Sequence, residues 1–203
     1  MRTENVVLMQ RAREALKDKW GLAIGTFLVY TLILCSLGAI HQPVSLISLL
    51  IAGPFALGAA TFSLAISRGK EARLELIFEG FKYFSDALVT YLLMILFITL
   101  WMLLLVVPGI IAALSYSMAF YILADDQSLK PREVLEKSQK MMDGYKLKLF
   151  YLCLRFLLLA LLCILTLGIG FLWLIPYANI TMAKFYDDIK EVSSRAKMTT
   201  QKE

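Results

Sequence analysis

Charge is scarce in this chain and histidine nearly absent. Only 18% of its 203 residues are Asp, Glu, Lys or Arg, and His41 is the single histidine. A soluble domain carries about 25% charged residues, so a chain that is 59% hydrophobic reads as a membrane protein. One histidine, in a short loop, cannot build a metal site alone, and no Ser–His–Asp set, HExxH, Walker loop or glycine-rich nucleotide motif occurs. Enzyme activity, cofactors and a metal are therefore not expected. The three cysteines, Cys35, Cys153 and Cys163, lie in apolar stretches with no CxxC pair. They are expected as small buried apolar residues, neither disulfides nor ligands.

Charge is also missing from three connectors, residues 39–45, 106–110 and 165–170. The 21 Lys and Arg fall instead into 1–19 (five), 68–82 (four), 130–148 (six) and 184–202 (five), with Arg155 alone. Acidic residues follow the same partition. Because cations mark the cytoplasmic side, the charged loops face the cytoplasm and the uncharged turns face outward. Both termini are then cytoplasmic and the number of spans is even. The charged first nineteen residues lack a small-residue cleavage site before the apolar run, so a retained first helix is expected. The net charge of +5 suits anionic inner-leaflet lipid and calls for no nucleic acid.

Length sets the number of spans. The hydrocarbon core takes about 20 helical residues, and the apolar run from Leu88 to Ala124 would stretch about 55 Å as one helix. It must fold back, and Pro108-Gly109 is the natural turn, since proline lacks an N–H and disfavours helix before it. A second fold-back falls near 168–170. Spans of about 21–40, 44–67, 86–107, 109–124, 147–167 and 171–187 follow. The fourth and sixth are short, so a hairpin tip can stop before the far interface.

The expected fold class is all-α integral membrane, with six spans in three hairpins. Each second span carries a proline in its outer half, and each hairpin follows a charged amphipathic stretch. The apolar positions are Leu8, Ala12, Leu16 and Trp20 after the candidate cap Asn5; Leu74, Ile77, Phe78 and Phe81; and Val134, Leu135, Met141 and Met142 after Pro131. A pseudo-threefold repeat results, with units of about 1–68, 69–126 and 127–190 in one domain. Residues 191–203 are expected as a flexible cytoplasmic tail. General likeness among hairpins is the plainer alternative. Gly53, Gly58 and Ala59 suggest close packing in the first hairpin.

Few residues remain to carry chemistry. Arg155 sits about eight residues into the fifth span, and an intramembrane charge marks a candidate site. Its span starts in the cytoplasm, so it can equally snorkel to the inner headgroups. Lys184 in the sixth span is expected to pair with Asp187 or Asp188 at i+3 or i+4. Asp125-Asp126 and Asp187-Asp188 close two spans at their cytoplasmic ends, where carboxylates oppose the helix dipole. Lys and Arg of the amphipathic segments, or for Asp125-Asp126 the N-terminus of the next helix, should compensate them. They read as end-stops, with a divalent-cation site as the alternative. Ser115, Tyr116, Ser117, Tyr121, Asn179, Thr181 and Tyr186 gather on the fourth and sixth spans, as interhelical hydrogen-bond partners or as a substrate path.

The segments KDKWGLAIGTFL, LIFEGFKYF, LLLVVPGIIAALSYSMAFYILADD, GYKLKLFYLCL, LTLGIGFLWLIPY and FYDDI together resemble the bacterial integral-membrane family known as domain of unknown function 975. The resemblance runs over nearly the whole chain except the part after Lys190. It implies a six-span bacterial inner-membrane protein and carries over no activity or site residue. The leading functional expectation is a non-enzymatic accessory, scaffold or envelope-homeostasis protein. It would act through membrane lipids and a membrane-protein partner or second copy. The alternative is a permeation protein for lipid or a small solute, with a path near the fourth to sixth spans.

Overall fold

The computed structural model describes residues 3–39 and 44–200, so His41 and the first expected turn lie outside the described residues. Those residues form helices joined by short turns, with no strand: α1 Asn5–Leu16, α2 Trp20–Ala39, α3 Val44–Ser67, α4 Phe84–Leu104, α5 Val106–Tyr116, α6 Ala119–Asp125, α7 Pro131–Met141, α8 Lys146–Leu165 and α9 Phe171–Thr200. Four segments are long and apolar enough to cross a membrane: Ser48–Ser67, Leu74–Leu104, Val106–Asp125 and Lys146–Leu165. α2 and the first part of α9 are apolar too. The expected span boundaries agree with the helix ends to within a few residues, apart from the end of the sixth.

The helices sort into two layers. Ser48–Ser67 is 67% buried, whereas Leu74–Leu104 and Lys146–Leu165 are each 11% buried. α3 is the centre, packed by α2, α4, α6 and α9. One core cluster joins Leu57 and Leu64 of α3 to Met118, Ile122, Leu135, Met142, Phe185 and Tyr186. A second joins Leu16, Phe27, Phe55, Phe62, Ile66 and Ile180. Phe27 and Phe62 meet edge to face at 5.8 Å, a favoured aromatic geometry.

Two of the three charged amphipathic segments turn their apolar side into the bundle. Leu8, Ala12 and Leu16 of α1 are fully buried, as are Val134 and, nearly, Leu135 of α7. Pro131 takes the first position of α7, where its missing N–H goes unneeded. Glu4, not Asn5, holds the N-cap position of α1, and Asn5 donates through Nδ2 to the Lys148 carbonyl at 2.9 Å.

The middle segment departs from its helical periodicity. Leu74–Ile77 and Glu79–Tyr83 form two 3₁₀ turns; Ile77 is buried, while Phe78 and Phe81 are exposed. The cause is backbone contact with α3. A Cβ on Gly58 would lie 1.8 Å from the Ile77 carbonyl oxygen, and one on Gly80 would lie 1.9 Å from that of Pro54. The small residues of α3 thus make close contacts, but with the segment after the first hairpin.

The turn of the second hairpin is at Leu105, which is extended (φ −160°) between α4 and α5, and not at Pro108-Gly109. Pro108 lies in the first turn of α5, where helical N–H groups have no partner in any case. Gly109 makes the first bond back, to Leu105 O at 3.2 Å. The expected fourth span is broken between α5 and α6. Ser115 and Ser117 hydroxyls donate back to the Ile111 and Leu114 carbonyls, and Ser138 of α7 donates to the Ser115 carbonyl at 2.8 Å. Such side-chain bonds compete with the helix ladder and bend it. In the third hairpin, Gly168 (φ +85°) lies between α8 and α9, in the expected turn. α9 continues unbroken through Thr200, across the boundary drawn after Lys190. Cys35 and Cys153 are exposed and Cys163 is half-buried, on apolar helix surface where burial was expected.

Candidate functional site

The ends of α3 and α6 and the middle of α9 converge on one arginine. After α3, Lys70 N bonds to Ala65 O at 2.9 Å and Gly69 N to Ile66 O at 3.1 Å, with Gly69 at φ +68°. This paired closure ends a helix on a left-handed glycine and leaves Arg68 as the capping residue. Its guanidinium donates from Nη1 to Asp125 Oδ1 at 2.6 Å, and from Nε and Nη2 to Asp187 Oδ1 at 3.1 and 2.7 Å. Ser67 Oγ adds a bond to Asp187 Oδ2 at 3.1 Å. Tyr186 OH donates to Asp125 Oδ2 at 3.0 Å, and the Lys190 ammonium pairs with the same carboxylate.

Geometry separates the two adjacent acids of α9. Consecutive helical residues point about 100° apart, so Asp187 faces Arg68 while Asp188 faces α8. Asp188 accepts from Lys148 Nζ at 2.8 Å and from the Thr3 hydroxyl. Asp126, by contrast, is exposed, taking Ser128 Oγ at 2.6 Å and Lys137 at 3.8 Å. The dipole problem of the two acid pairs is met in this way. A cation that stabilises the end of α3 also neutralises Asp125 at the end of α6 and pairs with Asp187, which the continuation of α9 to Thr200 places inside a helix and not at the expected helix end. Compensation comes mainly from Arg68, Lys190 and Lys148, with only Lys137 drawn from an expected amphipathic segment.

Lys184 does not pair with Asp187 or Asp188 as expected; its ammonium donates to the Ser67 carbonyl at the end of α3. Burial disfavours charge on Arg68, yet its hydrogen bonds with Asp125 and Asp187 outweigh that and push its pKa up. It stays cationic across the physiological range. Hydrogen bonds from Ser128 pull the Asp126 carboxyl down. Among the described residues no group of three or more His, Cys, Asp or Glu could hold a metal ion. Beside Arg68 lies a polar cavity of about 420 Å³ lined by Arg11, Ser67, Lys184, Asp187, Asp188 and Lys190 among others.

The remaining candidates do not join this cluster. Arg155 is exposed on α8. Asn179 donates to Ile175 O and Thr181 to Tyr177 O, each within its own helix. Tyr121 does bridge helices: its OH reaches the Asn179 carbonyl at 3.3 Å and its ring stacks on Tyr186 at 5.9 Å. Tyr116 is half-buried beside Phe97. Arg68 is the residue the sequence reading missed. Its signal was a basic residue directly before glycine at a helix end.

The class defined so far is an all-helical protein with four helices long and apolar enough to cross a membrane. Residues 102–193 match the model of the family described as "Protein of unknown function (DUF975)", the family that the sequence resembles. Asp125, Asp187 and Asp188 lie inside the match, and Arg68 lies outside it. No curated protein and no solved structure matches the chain.

Proposed function

We propose that this chain is a six-span protein of the bacterial cytoplasmic membrane with both termini inside, and that it acts without catalysis as an accessory or scaffold protein through lipid and partner contacts. α2 and the first part of α9 supply the two spans beyond the four longest. The charge partition supports the orientation. The repeat draws support from Arg68 after α3, Asp125 of α6 and Asp187 of α9, one from each hairpin, which meet in one cluster.

One observation carries the functional reading. Asp125, Asp187 and Asp188 are held in internal ion pairs, while the free surface of α4 and α8 is apolar apart from Arg155, with Leu96 and Leu158 more than half exposed. Charged groups hold helix ends together, and what faces outward is suited to hydrocarbon or to another membrane helix. The alternative, permeation near the fourth to sixth spans, draws on the polar cavity beside Arg68. Liposome flux measured beside crosslinking and copurification separates the two. The scaffold reading expects a stoichiometric membrane partner and no solute flux. Flux abolished by Arg155→Ala with folding preserved contradicts it.

A further inference from the structure

A second cavity has a different character from the polar one. It is a groove of about 420 Å³ lined by Arg13, Trp20, Leu159, Leu162, Trp173 and Tyr177, with no Asp or Glu in its walls. Its mouth is set by the chain itself. The charged turn from Lys17 to Lys19 leads directly into Trp20 and the apolar α2, and tryptophan favours the boundary between headgroups and hydrocarbon. Beyond the mouth, Leu159 and Leu162 of α8 and Trp173 of α9 form an apolar wall toward the third hairpin turn.

Arg13 is the only charged group of the groove. It is exposed, sits 6.0 Å over the Tyr177 ring, and among the described residues pairs with no carboxylate. The Tyr177 hydroxyl is engaged with the Met9 carbonyl at 3.2 Å, so it offers the groove no free donor. The Trp20 and Trp173 indole N–H groups have no hydrogen-bond partner among the described residues. An apolar slot thus opens at a cation and the Trp20 donor, with no acid in its walls to satisfy them. An anionic phospholipid has the matching chemistry, a phosphate acceptor joined to a hydrocarbon chain.

We propose that this groove seats one anionic phospholipid, its phosphate on Arg13 and an acyl chain along α8 and α9; this rests on the membrane reading above. The test uses the full chain carrying Trp101→Phe, so that only Trp20 and Trp173 of its three tryptophans report. The protein is reconstituted in phosphatidylcholine vesicles containing a small fraction of lipid brominated on the acyl chain. Brominated phosphatidylglycerol should quench the tryptophans at about fivefold lower mole fraction than brominated phosphatidylcholine, matching about 1 kcal/mol for one cation near the surface. Arg13→Gln should remove the preference and Arg13→Lys should retain most of it, with helicity unchanged in both. Equal quenching by the two lipids overturns the lipid site and leaves the membrane reading intact. No quenching by either overturns both. Displacement of the lipid by soluble glycerol phosphate overturns the assignment of the occupant to a phospholipid.

Discussion

The segment Ser48–Ser67 is 67% buried and Lys146–Leu165 is 11% buried, although both are long and apolar enough to cross a membrane. The difference follows side-chain type. α3 carries Gly53, Pro54, Gly58, Thr61, Ser63 and Ser67, whereas α8 is mostly leucine with aromatics. The helix rich in small and hydroxyl side chains is therefore the more buried one and the leucine-rich helix the more exposed, the reverse of the order in a water-soluble bundle. In hydrocarbon there is no hydrophobic gain from hiding leucine against another helix. Close approach, dispersion and satisfied polar groups decide which helix goes inside. α3 meets its neighbours backbone to backbone at Gly58 and Gly80 and ends in the arginine that α6 and α9 share. α4 touches α3 closely only near its start, at Ala87 against Gly53, and α8 joins the bundle through Lys148 and Asp188; the rest of both helices forms the rim.

Substitutions can break this contrast, and unfolding in mixed micelles or bicelles measures each. Gly58→Ala should have the largest effect, about 3 kcal/mol, the upper end for overpacking. The atoms its Cβ meets belong to the Ile77 backbone, which cannot rotate away; a loss below about 0.5 kcal/mol would place the 3₁₀ segment elsewhere. Phe62→Ala, in the fully buried part of α3, should cost about 2.5 kcal/mol. This is below the usual range for a water-soluble core, because in lipid only the packing loss remains. Leu96→Ala on the 59% exposed face of α4 should change stability by less than about 0.5 kcal/mol. Equal effects at the two sites would erase the inner and outer layers.

Arg68→Met should cost about 2 kcal/mol, less than for a fully buried pair. Its side chain is 27% exposed, and water screens the charges that remain. Adding Asp187→Asn should recover part of the loss, since one unpaired carboxylate is removed; strictly additive losses would show that the two do not interact. Ser138→Ala should be milder than Arg68→Met, about 1 kcal/mol for one buried hydrogen bond to the Ser115 carbonyl.

Much of the helical layout was legible in advance. Span lengths follow from hydrocarbon thickness, so the helix ends fell close to expectation, and the stripes Leu8–Ala12–Leu16 and Val134–Leu135 identified buried faces correctly. Where those faces pack was not legible, because periodicity says that a side is apolar and not what covers it. Phe78 and Phe81 fit a helical stripe equally well, but a glycine contact with α3 set that backbone. Pro108 misled because a proline suits the first turn of a helix as well as the turn before one. The acids at 125 and 187 were recognised as a problem needing cations. Arg68 was not, because it belongs to a different hairpin and meets them only in three dimensions.

The inner and outer layers are tested most directly by single spin labels at Leu96, Leu158 and Ile122 in reconstituted protein, with relaxation by oxygen and by a water-soluble nickel chelate. The account predicts strong oxygen and weak nickel contact at Leu96 and Leu158, and little contact with either at Ile122, which is fully buried. Strong nickel contact at Leu96 and Leu158 would put α4 and α8 in water and contradict it.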